Sequence, residues 1–164
     1  MKRLLPLLLC LLSFAGIAAQ PPKRVIVLET IDKEGTISYA YKLMLHSNLA
    51  TALTKTGKAE GYDRADIAQI VGDQNFTRTG FLTEAQIKHI GEETGTRYLL
   101  LAEAVKVDEN QMFVTAKMLS VETARIYRNA DELMELNAQA IQQGCANLAC
   151  KLFDLDCAAT PAAT

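Results

Sequence analysis

The sequence predicts a single-domain α/β sandwich in which one mixed sheet of about five strands is flanked by helices. An apolar run from residue 24 has the composition of a strand that is buried on both faces. Helical patterns separate the early strands, which favours parallel pairing. Two tight polar reversals after residue 97 favour an antiparallel meander. The expected order of elements is therefore β-α-β-α-α-β-β-β-α.

The first 19 residues have the pattern of a secretory signal peptide. Lys2 and Arg3 form a short basic region, an apolar stretch follows to Ala15, and small residues continue to Ala19. The segment is too short to anchor a protein across a bilayer. We therefore expect cleavage after Ala19 and export to the periplasm, with an association with the outer membrane left open.

Residues 20–153 are predicted to form the folded domain and residues 154–164 a disordered tail. After signal cleavage the chain has about 145 residues, which is enough for one domain with a sizeable core. The tail has no packing pattern. The whole chain carries a net charge of −2. Loss of Lys2 and Arg3 makes it more negative, which argues against nucleic acid or anionic membrane as partners. No second apolar run is long enough for a transmembrane segment after signal cleavage.

The first half of the domain is predicted as a strand, a helix and a second strand. The run "RVIVLE" at 24–29 predicts the first strand, and a polar loop follows it. A helix is expected over 39–55 because its apolar residues form one stripe. Gly57 can end that helix in a left-handed conformation. Residues 59–62 then form a short strand candidate.

Asp63 and Arg64 stand between that strand and a helix predicted over 64–74. Asp63 occupies the N-cap position, where its carboxylate can accept backbone N–H groups, and Asp66 favours the positive end of the helix dipole. Arg64 can lie over the sheet end or pair with a nearby acid. A catalytic role would need a base, a nucleophile or a second carboxylate in reach, and nothing in this part of the sequence supplies one. We therefore interpret both residues as structural.

The next helix is predicted to begin after Thr83 and to end at Gly95. Thr83 followed three residues later by Gln86 has the pattern of a capping box. Ile87 and Ile90 would face the core, and Gly95 suits a left-handed helix end.

Three strands and a final helix complete the prediction. Residues 97–107 indicate a long strand whose first half is apolar on both faces, and residues 112–121 alternate like a strand with one buried face. A short last strand is expected at 125–128, and a helix from about 131 to 153. The apolar stripe of that helix is formed by Met134, Ala138, Ile141, Cys145, Leu148 and Leu152.

Three cysteines follow the signal segment, so at least one thiol is left over even if export allows a disulfide. Cys145 and Cys150 would lie about 8 to 9 Å apart on one helix, beyond the ~7 Å limit for a bridge. Cys150 with Cys157 is the candidate disulfide, with free thiols as the alternative, and Cys145 suits a small core residue. These spacings match no zinc pattern. Cys10 follows Leu9 and not a small residue, which disfavours lipid attachment there.

Four stretches together resemble one family pattern: "KRVIVLE", "LATALTKTGKAEGYDRADIAQIV", "IKHIGEETGTRYLLLAEAVKV" and "MFVTAKMLSVETARI". The pattern is that of the envelope proteins related to the curli secretion lipoprotein CsgG, the penicillin-binding-protein activator LpoB and the N-terminal domain of TolB. Asp63-Arg64 matches an Asp-Arg pair after the second strand, and Gly91 and Gly95 match the glycines at a helix exit. Ala124 stands where the last hairpin turn of the family has glycine. The resemblance covers residues 23 to about 153.

The resemblance implies an α/β sandwich that has no enzyme activity and binds another envelope protein. The partner could belong to peptidoglycan assembly, as for LpoB, or to a CsgG-type secretion apparatus of which this chain would be a subunit or accessory. Channel-forming relatives carry long amphipathic insertions that this sequence lacks, so a pore is not expected. Lipid-anchored relatives carry a lipobox, which is also missing. A non-catalytic periplasmic adaptor is the resulting prediction.

A search for reactive motifs identifies no catalytic, cofactor-binding or metal-binding residue. The sequence has no nucleophile elbow, phosphate loop, dinucleotide fingerprint or zinc-protease motif. His46 and His89, the only histidines, are interpreted as surface or boundary residues. The competing hypothesis is a hydrolase with an unfamiliar site at the strand ends, around Glu29, Asp63 and Glu103.

Overall fold

A computed structural model describes residues 23–28, 30–62 and 82–156. The described elements, in chain order, are β1 (Lys23–Val27), α1 (Tyr39–Lys55), β2 (Ala59–Tyr62), α2 (Glu84–Thr94), β3 (Tyr98–Lys106), β4 (Gln111–Ser120), β5 (Arg125–Glu135) and α3 (Ala138–Leu152). The strands form one sheet of five in the order β2-β1-β3-β4-β5. The predicted α/β class with a mixed five-stranded sheet is confirmed.

The strand directions follow from the connections between them. β1 pairs in parallel with β2 and with β3, and long connections that contain helices separate these strands in sequence. The strands β3, β4 and β5 pair antiparallel through short turns. The predicted change from parallel to antiparallel pairing after residue 97 is therefore confirmed.

Helices pack on both faces of the sheet and create two apolar cores. The larger core lies under α1 and α3, which contribute Leu45, Leu49, Ile141 and Leu148 among others. The smaller core lies on the opposite face, where Ile87 and Ile90 of α2 pack on Leu99 and Leu101 of β3. The alternation of β4 decides which side chains enter the larger core: Met112, Val114, Ala116 and Met118 are all fully buried there.

Both ends of α2 are fixed by local chemistry. Thr83 accepts a hydrogen bond from the backbone N–H of Gln86 at 3.3 Å, and the Gln86 side chain accepts from the backbone N–H of Thr83 at 2.9 Å. Together these two bonds form the capping box. At the other end Gly95 adopts a left-handed conformation, with φ 65°, and its N–H donates to the carbonyl of Gly91.

The β4–β5 turn contains a strained residue. Ala124 has a φ of 51°, in the left-handed region where a Cβ crowds the backbone. This is the position at which the family pattern has glycine. The turn therefore holds an alanine in a conformation that favours glycine.

The end of the chain differs from the prediction. The strand predicted at 125–128 extends to Glu135, and the helix predicted from about residue 131 begins at Ala138. Met134 lies on β5, and not on the helix, although it is buried in the same core. Ala138, predicted for the apolar stripe, is exposed in the first turn of α3.

Several predicted features lie outside the described residues. They are the signal segment, Glu29, Asp63, Arg64, the helix at 64–74, Cys157 and the rest of the tail. Among the helices of the described ranges, none is long and apolar enough to cross a membrane.

Candidate interaction surface

Exposed apolar side chains form a strip across three strands on the sheet face opposite α1 and α3. Val105 of β3 stands directly opposite Phe113 of β4, and Phe113 stands opposite Leu133 of β5. Their exposed fractions are 42%, 39% and 53%, and Val107 next to them is 57% exposed. We call these four residues the apolar strip. Contiguous exposed apolar groups on a soluble domain are typical of an interaction site.

The strip continues the face that α2 covers only in part. Leu99 and Leu101 of β3 are buried under α2, whereas Val105 lies further along the same strand and the same face. Residues separated by two along a strand share a face, so the three form one row. The row is buried at the α2 end and exposed at the end near the β3–β4 turn.

Glu103 separates the buried part of the row from the exposed part. Its carboxylate accepts a hydrogen bond from Lys117 Nζ at 2.8 Å on β4, and Lys33 Nζ lies 3.8 Å from it. The side chain of Glu103 is 22% exposed. A pair of this exposure contributes at most about 1 kcal/mol to stability. It therefore acts mainly as a charged border of the apolar strip.

The hydrolase hypothesis placed Glu103 at a strand end, and this placement is wrong. Glu103 lies in the middle of β3, opposite Thr115 of β4. Its proposed companions Glu29 and Asp63 lie outside the described residues. Among the described residues, the charged groups beside the Glu103 carboxylate are Lys117 and Lys33, which suits an ion pair better than an acid–base pair.

A second polar cluster lies at the other end of the sheet, where side chains of β1, β3 and β5 meet. Lys23 Nζ lies 5.0 Å from the ring centre of Tyr98 and 4.8 Å from that of Tyr127, within the range of a cation–π contact. It also donates to the Tyr127 hydroxyl at 3.2 Å. Lys23, followed by Arg128, lowers the pKa of the Tyr127 phenol. The cluster fixes the Tyr127 ring on the outer strand.

Arg128 joins β5 to the end of α3. Its guanidinium donates to the carbonyl of Leu152 at 3.2 Å and forms an ion pair with Asp154. A cation at the C-terminal end of a helix binds carbonyls that lack helical partners. Asp154 is the first cause of the raised pKa of Arg128.

The histidines and cysteines offer no reactive centre in the described residues. His46, predicted at the surface or boundary, is buried, and its Nδ1 lies 3.2 Å from the carbonyl oxygen of Leu28. His89 is exposed, as predicted. Burial raises the pKa of the Cys145 thiol to about 12, which disfavours the reactive thiolate. Cys150 is half-buried and forms no disulfide with a described residue.

Depressions in the described surface lie at the β3–β4 turn. One has a volume of about 490 Å³ and is lined by Asp108, Glu109, Asn110, Gln111 and Glu135. Its side chains are acids and amides on a turn, and its lining contains no cysteine, histidine or lysine. No group of three potential metal ligands occurs within the described ranges.

Sequence reasoning missed the apolar strip, although one signal pointed to it. In β4 the side chains that alternate with the buried set are Phe113, Thr115, Lys117 and Leu119. A phenylalanine among outward-facing polar positions is unusual for a solvated face. The cluster around Tyr127 had no comparable signal, because it joins residues 104 positions apart in the chain.

Comparisons with known proteins show the fold. No protein-family model matches the chain, and no curated protein matches it. The LpoB C-terminal domain from Escherichia coli superposes with a TM-score of 0.53 at 17% identity, covering 71% of this chain and 84% of that one. Lipoprotein GNA1162 from Neisseria meningitidis gives 0.52 at 10% identity, covering 72% and 84%. A single-substitution variant of the PelC dodecamer from Paraburkholderia phytofirmans gives 0.51 at 14%, covering 81% and 86%.

These structures share the fold of this chain at low sequence identity. The predicted likeness to LpoB is confirmed at the level of the fold. The predicted likeness to CsgG stays a prediction. GNA1162 is a lipoprotein and PelC is a dodecamer. These are properties of the two neighbours, and the likeness to this chain is one of fold.

Proposed function

We propose that the protein is a non-catalytic accessory module of the bacterial cell envelope that binds a partner protein through the apolar strip. The partner we favour is a peptidoglycan-synthesising enzyme, by analogy with the activator LpoB. The observation that carries the proposal is the strip itself, a row of exposed apolar side chains on a domain with the LpoB fold.

The strip has the physical properties of the centre of a protein interface. Complete burial of a side chain of this kind contributes about 1.5–3 kcal/mol, and these side chains are about half exposed. Burying all of them would supply a few kcal/mol, which is the amount that interface anchors typically contribute. Phe113 is the central anchor because Val105 and Leu133 flank it on the neighbouring strands.

The charges around the strip indicate the chemistry of the partner. Asp131 and Glu135 lie on β5 on either side of Leu133 along the strand, and both are exposed. Glu103 borders the strip on β3, although Lys117 already neutralises it. The exposed charged side chains that border the strip on β5 are therefore acidic. A complementary partner presents an apolar patch with basic residues at its margin.

A binding measurement with purified components tests this function. Penicillin-binding proteins from the source bacterium are immobilised, and binding of the wild-type protein is compared with that of Phe113→Asp. We expect the substitution to weaken binding at least about tenfold, because it places a charge at the centre of the interface. Leu43→Asp is the matched control, since Leu43 is an exposed apolar residue, 50% exposed, on α1 behind the sheet.

The outcomes separate the proposal from its alternatives. Binding by wild type and by Leu43→Asp, with loss in Phe113→Asp, supports it. Equal binding by all three would show that another surface is used. If no penicillin-binding protein binds the wild-type protein, a peptidoglycan-synthesising enzyme is excluded as the partner.

A further inference from the structure

The chain reverses direction directly after α3, and Cys150 lies in the last turn of that helix. The N–H of Leu155 donates to the Cys150 carbonyl at 3.0 Å, and the N–H of Asp154 donates to the Lys151 carbonyl at 3.3 Å. Asp154 has a φ of 53°. These two bonds around one left-handed residue form a Schellman motif, in which the chain folds back over the end of the helix.

The Cys150 side chain lies on the side of α3 toward which the chain folds back. In a Schellman motif the side chain three positions before the helix cap frequently contacts the second residue after the cap. The cap of α3 is Phe153, so these two positions are Cys150 and Leu155. Both residues are half-buried. The Cys150 thiol is therefore accessible at the place where the returning chain passes.

Cys157 follows Leu155 by two residues and lies just beyond the described part of the chain. Two residues span at most about 7 Å when fully extended, and Leu155 is itself hydrogen-bonded to Cys150. The length of the chain therefore allows the Cα atoms of Cys150 and Cys157 to reach the separation of about 4.4–6.8 Å that a disulfide requires.

Cys145 is not available for such a bridge. Its side chain is fully buried in the larger core, and its Sγ lies 3.8 Å from the carbonyl oxygen of Leu45. A bond to Cys145 would require the chain after α3 to enter that core. Of the three cysteines that follow the signal segment, Cys145 is therefore the one that is left unpaired.

We propose that Cys150 and Cys157 form a disulfide that closes the chain over the end of α3, while Cys145 stays a thiol. The structure holds Cys150 as a free thiol, which is the reduced form of this pair. The oxidant is itself a disulfide, such as oxidised glutathione or a thiol–disulfide exchange protein of an oxidising compartment. The bridge lies at the end of α3, on the sheet face opposite the apolar strip, so it is a feature separate from partner binding.

The reaction exchanges one disulfide for another. The deprotonated sulfur of one cysteine attacks the oxidant, forms a mixed disulfide with it and releases its first thiolate. The sulfur of the other cysteine then attacks the first cysteine's sulfur in the mixed disulfide and releases the second thiolate. One S–S bond forms in the protein and one breaks in the oxidant. The protein loses two protons and two electrons, and the oxidant gains them as two thiols.

The bridge reinforces a contact between α3 and the outer strand of the sheet. Arg128 of β5 donates to the Leu152 carbonyl at 3.2 Å and pairs with Asp154, and both partners belong to residues 150–157. The Asp154 side chain is 76% exposed, so this ion pair alone holds the turn weakly. A closed loop over residues 150–157 restricts the unfolded chain and thereby stabilises this end of the fold.

Peptide mapping identifies the bonded pair. The full chain is equilibrated with a mixture of reduced and oxidised glutathione, unfolded, alkylated at its free thiols and digested with trypsin without reduction. Cleavage after Lys151 separates Cys157 from Cys145 and Cys150. We expect the two peptides on either side of this cleavage site to remain linked by a disulfide. Cys145→Ala should keep the link, whereas Cys150→Ser should abolish it.

Two substitutions of Asp154 test whether the helix end brings the cysteines together. Glycine adopts a left-handed φ freely, so Asp154→Gly keeps the reversal and should be oxidised by glutathione as readily as the wild type. Valine is strongly disfavoured in this conformation, so Asp154→Val should lower the equilibrium constant for oxidation at least about fivefold. Both substitutions remove the carboxylate that pairs with Arg128. A difference between them therefore reports the backbone reversal and not the ion pair.

Thermal unfolding measures what the bridge contributes. Reduction of the oxidised wild type should lower its melting temperature by about 3–8 °C, because the unfolded chain is no longer constrained. Cys157→Ser should melt at the temperature of the reduced wild type and should not respond to reductant.

Three results would overturn the proposal. The first is a wild-type chain in which Cys157 is alkylated as a free thiol after equilibration with oxidised glutathione. The second is a link between the two peptides that survives Cys150→Ser, because it would place the bond at Cys145. The third is a disulfide between two chains, seen as a dimer on a non-reducing gel that Cys157→Ser removes. No cysteine belongs to the apolar strip, so these results are independent of those for Phe113→Asp.

Discussion

Gly91 of α2 packs so closely against Val121 at the end of β4 that a Cβ on the glycine would overlap the Val121 side chain, with Val121 Cβ 3.1 Å away. The contact brings α2 onto the sheet above the smaller core. We expect Gly91→Ala to lower the free energy of unfolding by about 1–3 kcal/mol, because β-branched valine has little freedom to move. Chemical denaturation measures this change.

A second substitution distinguishes a packing clash from a helix effect. Alanine favours helices more than glycine does, so propensity alone would make Gly91→Ala stabilising by about 1 kcal/mol. Val121→Ala removes the overlapping methyl groups, and adding it to Gly91→Ala should recover part of the lost stability. If Gly91→Ala stabilises the protein, the close contact does not limit the packing of α2.

Cys145 should make stability depend on alkaline pH. Burial raises the pKa of its thiol from the ordinary value of 9.0 to about 12. The unfolded chain releases this proton first, so the contribution is fully present below pH 9 and is lost as pH rises toward 12. The stability of wild type relative to Cys145→Ala should fall by at most about 1.4 kcal/mol per pH unit in that window. Urea titrations at several pH values measure it, and a pH-independent difference would contradict the prediction.

Replacing Ala124 by glycine, the residue of the family pattern at this turn position, should stabilise the protein. Ala124 adopts a φ of 51°, which costs an L-residue about 1–2 kcal/mol. Ala124→Gly relieves this cost. Glycine also stabilises the unfolded chain by about 0.4–1 kcal/mol, because it increases the conformational entropy of that state. We expect a net gain of about 0.5–1 kcal/mol. Thermal unfolding measures it, with Thr123→Gly, one position earlier in the turn, expected to destabilise as the control.

Local signals in the sequence were sufficient for much of the fold. The apolar stripe and the glycine after it gave the bounds of α1, which runs from Tyr39 to Lys55 as predicted. The capping box gave the start of α2 at Glu84. Turn chemistry gave the switch from parallel to antiparallel pairing. These features depend on residues a few positions apart, so periodicity can detect them.

The candidate surface could not be predicted in the same way. Whether Val105 is buried or exposed depends on how far α2 extends over β3, and this is set by packing between elements and not by local pattern. His46 is a second side chain whose burial the local pattern did not predict, since it was expected at the surface or boundary and is buried. Its position at the border of a helical stripe did not indicate that the Leu28 carbonyl would lie beside its ring. Such placements need the tertiary structure.

The misplaced start of α3 leads to the last prediction. Residues 131–137 contain glutamate, leucine and methionine, which favour helices, yet pairing with β4 keeps them extended through Glu135. Asn137 then begins the helix, because its side chain accepts from the N–H of Ala140 at 2.8 Å. We expect Asn137→Ala to cost about 1 kcal/mol of stability and Asn137→Ser to cost less, since serine is a comparable cap and adds no charge beside the Glu135 carboxylate that accepts from the Asn137 amide. If both substitutions leave the denaturation midpoint unchanged, then the pairing of β5 and not the cap determines where α3 begins.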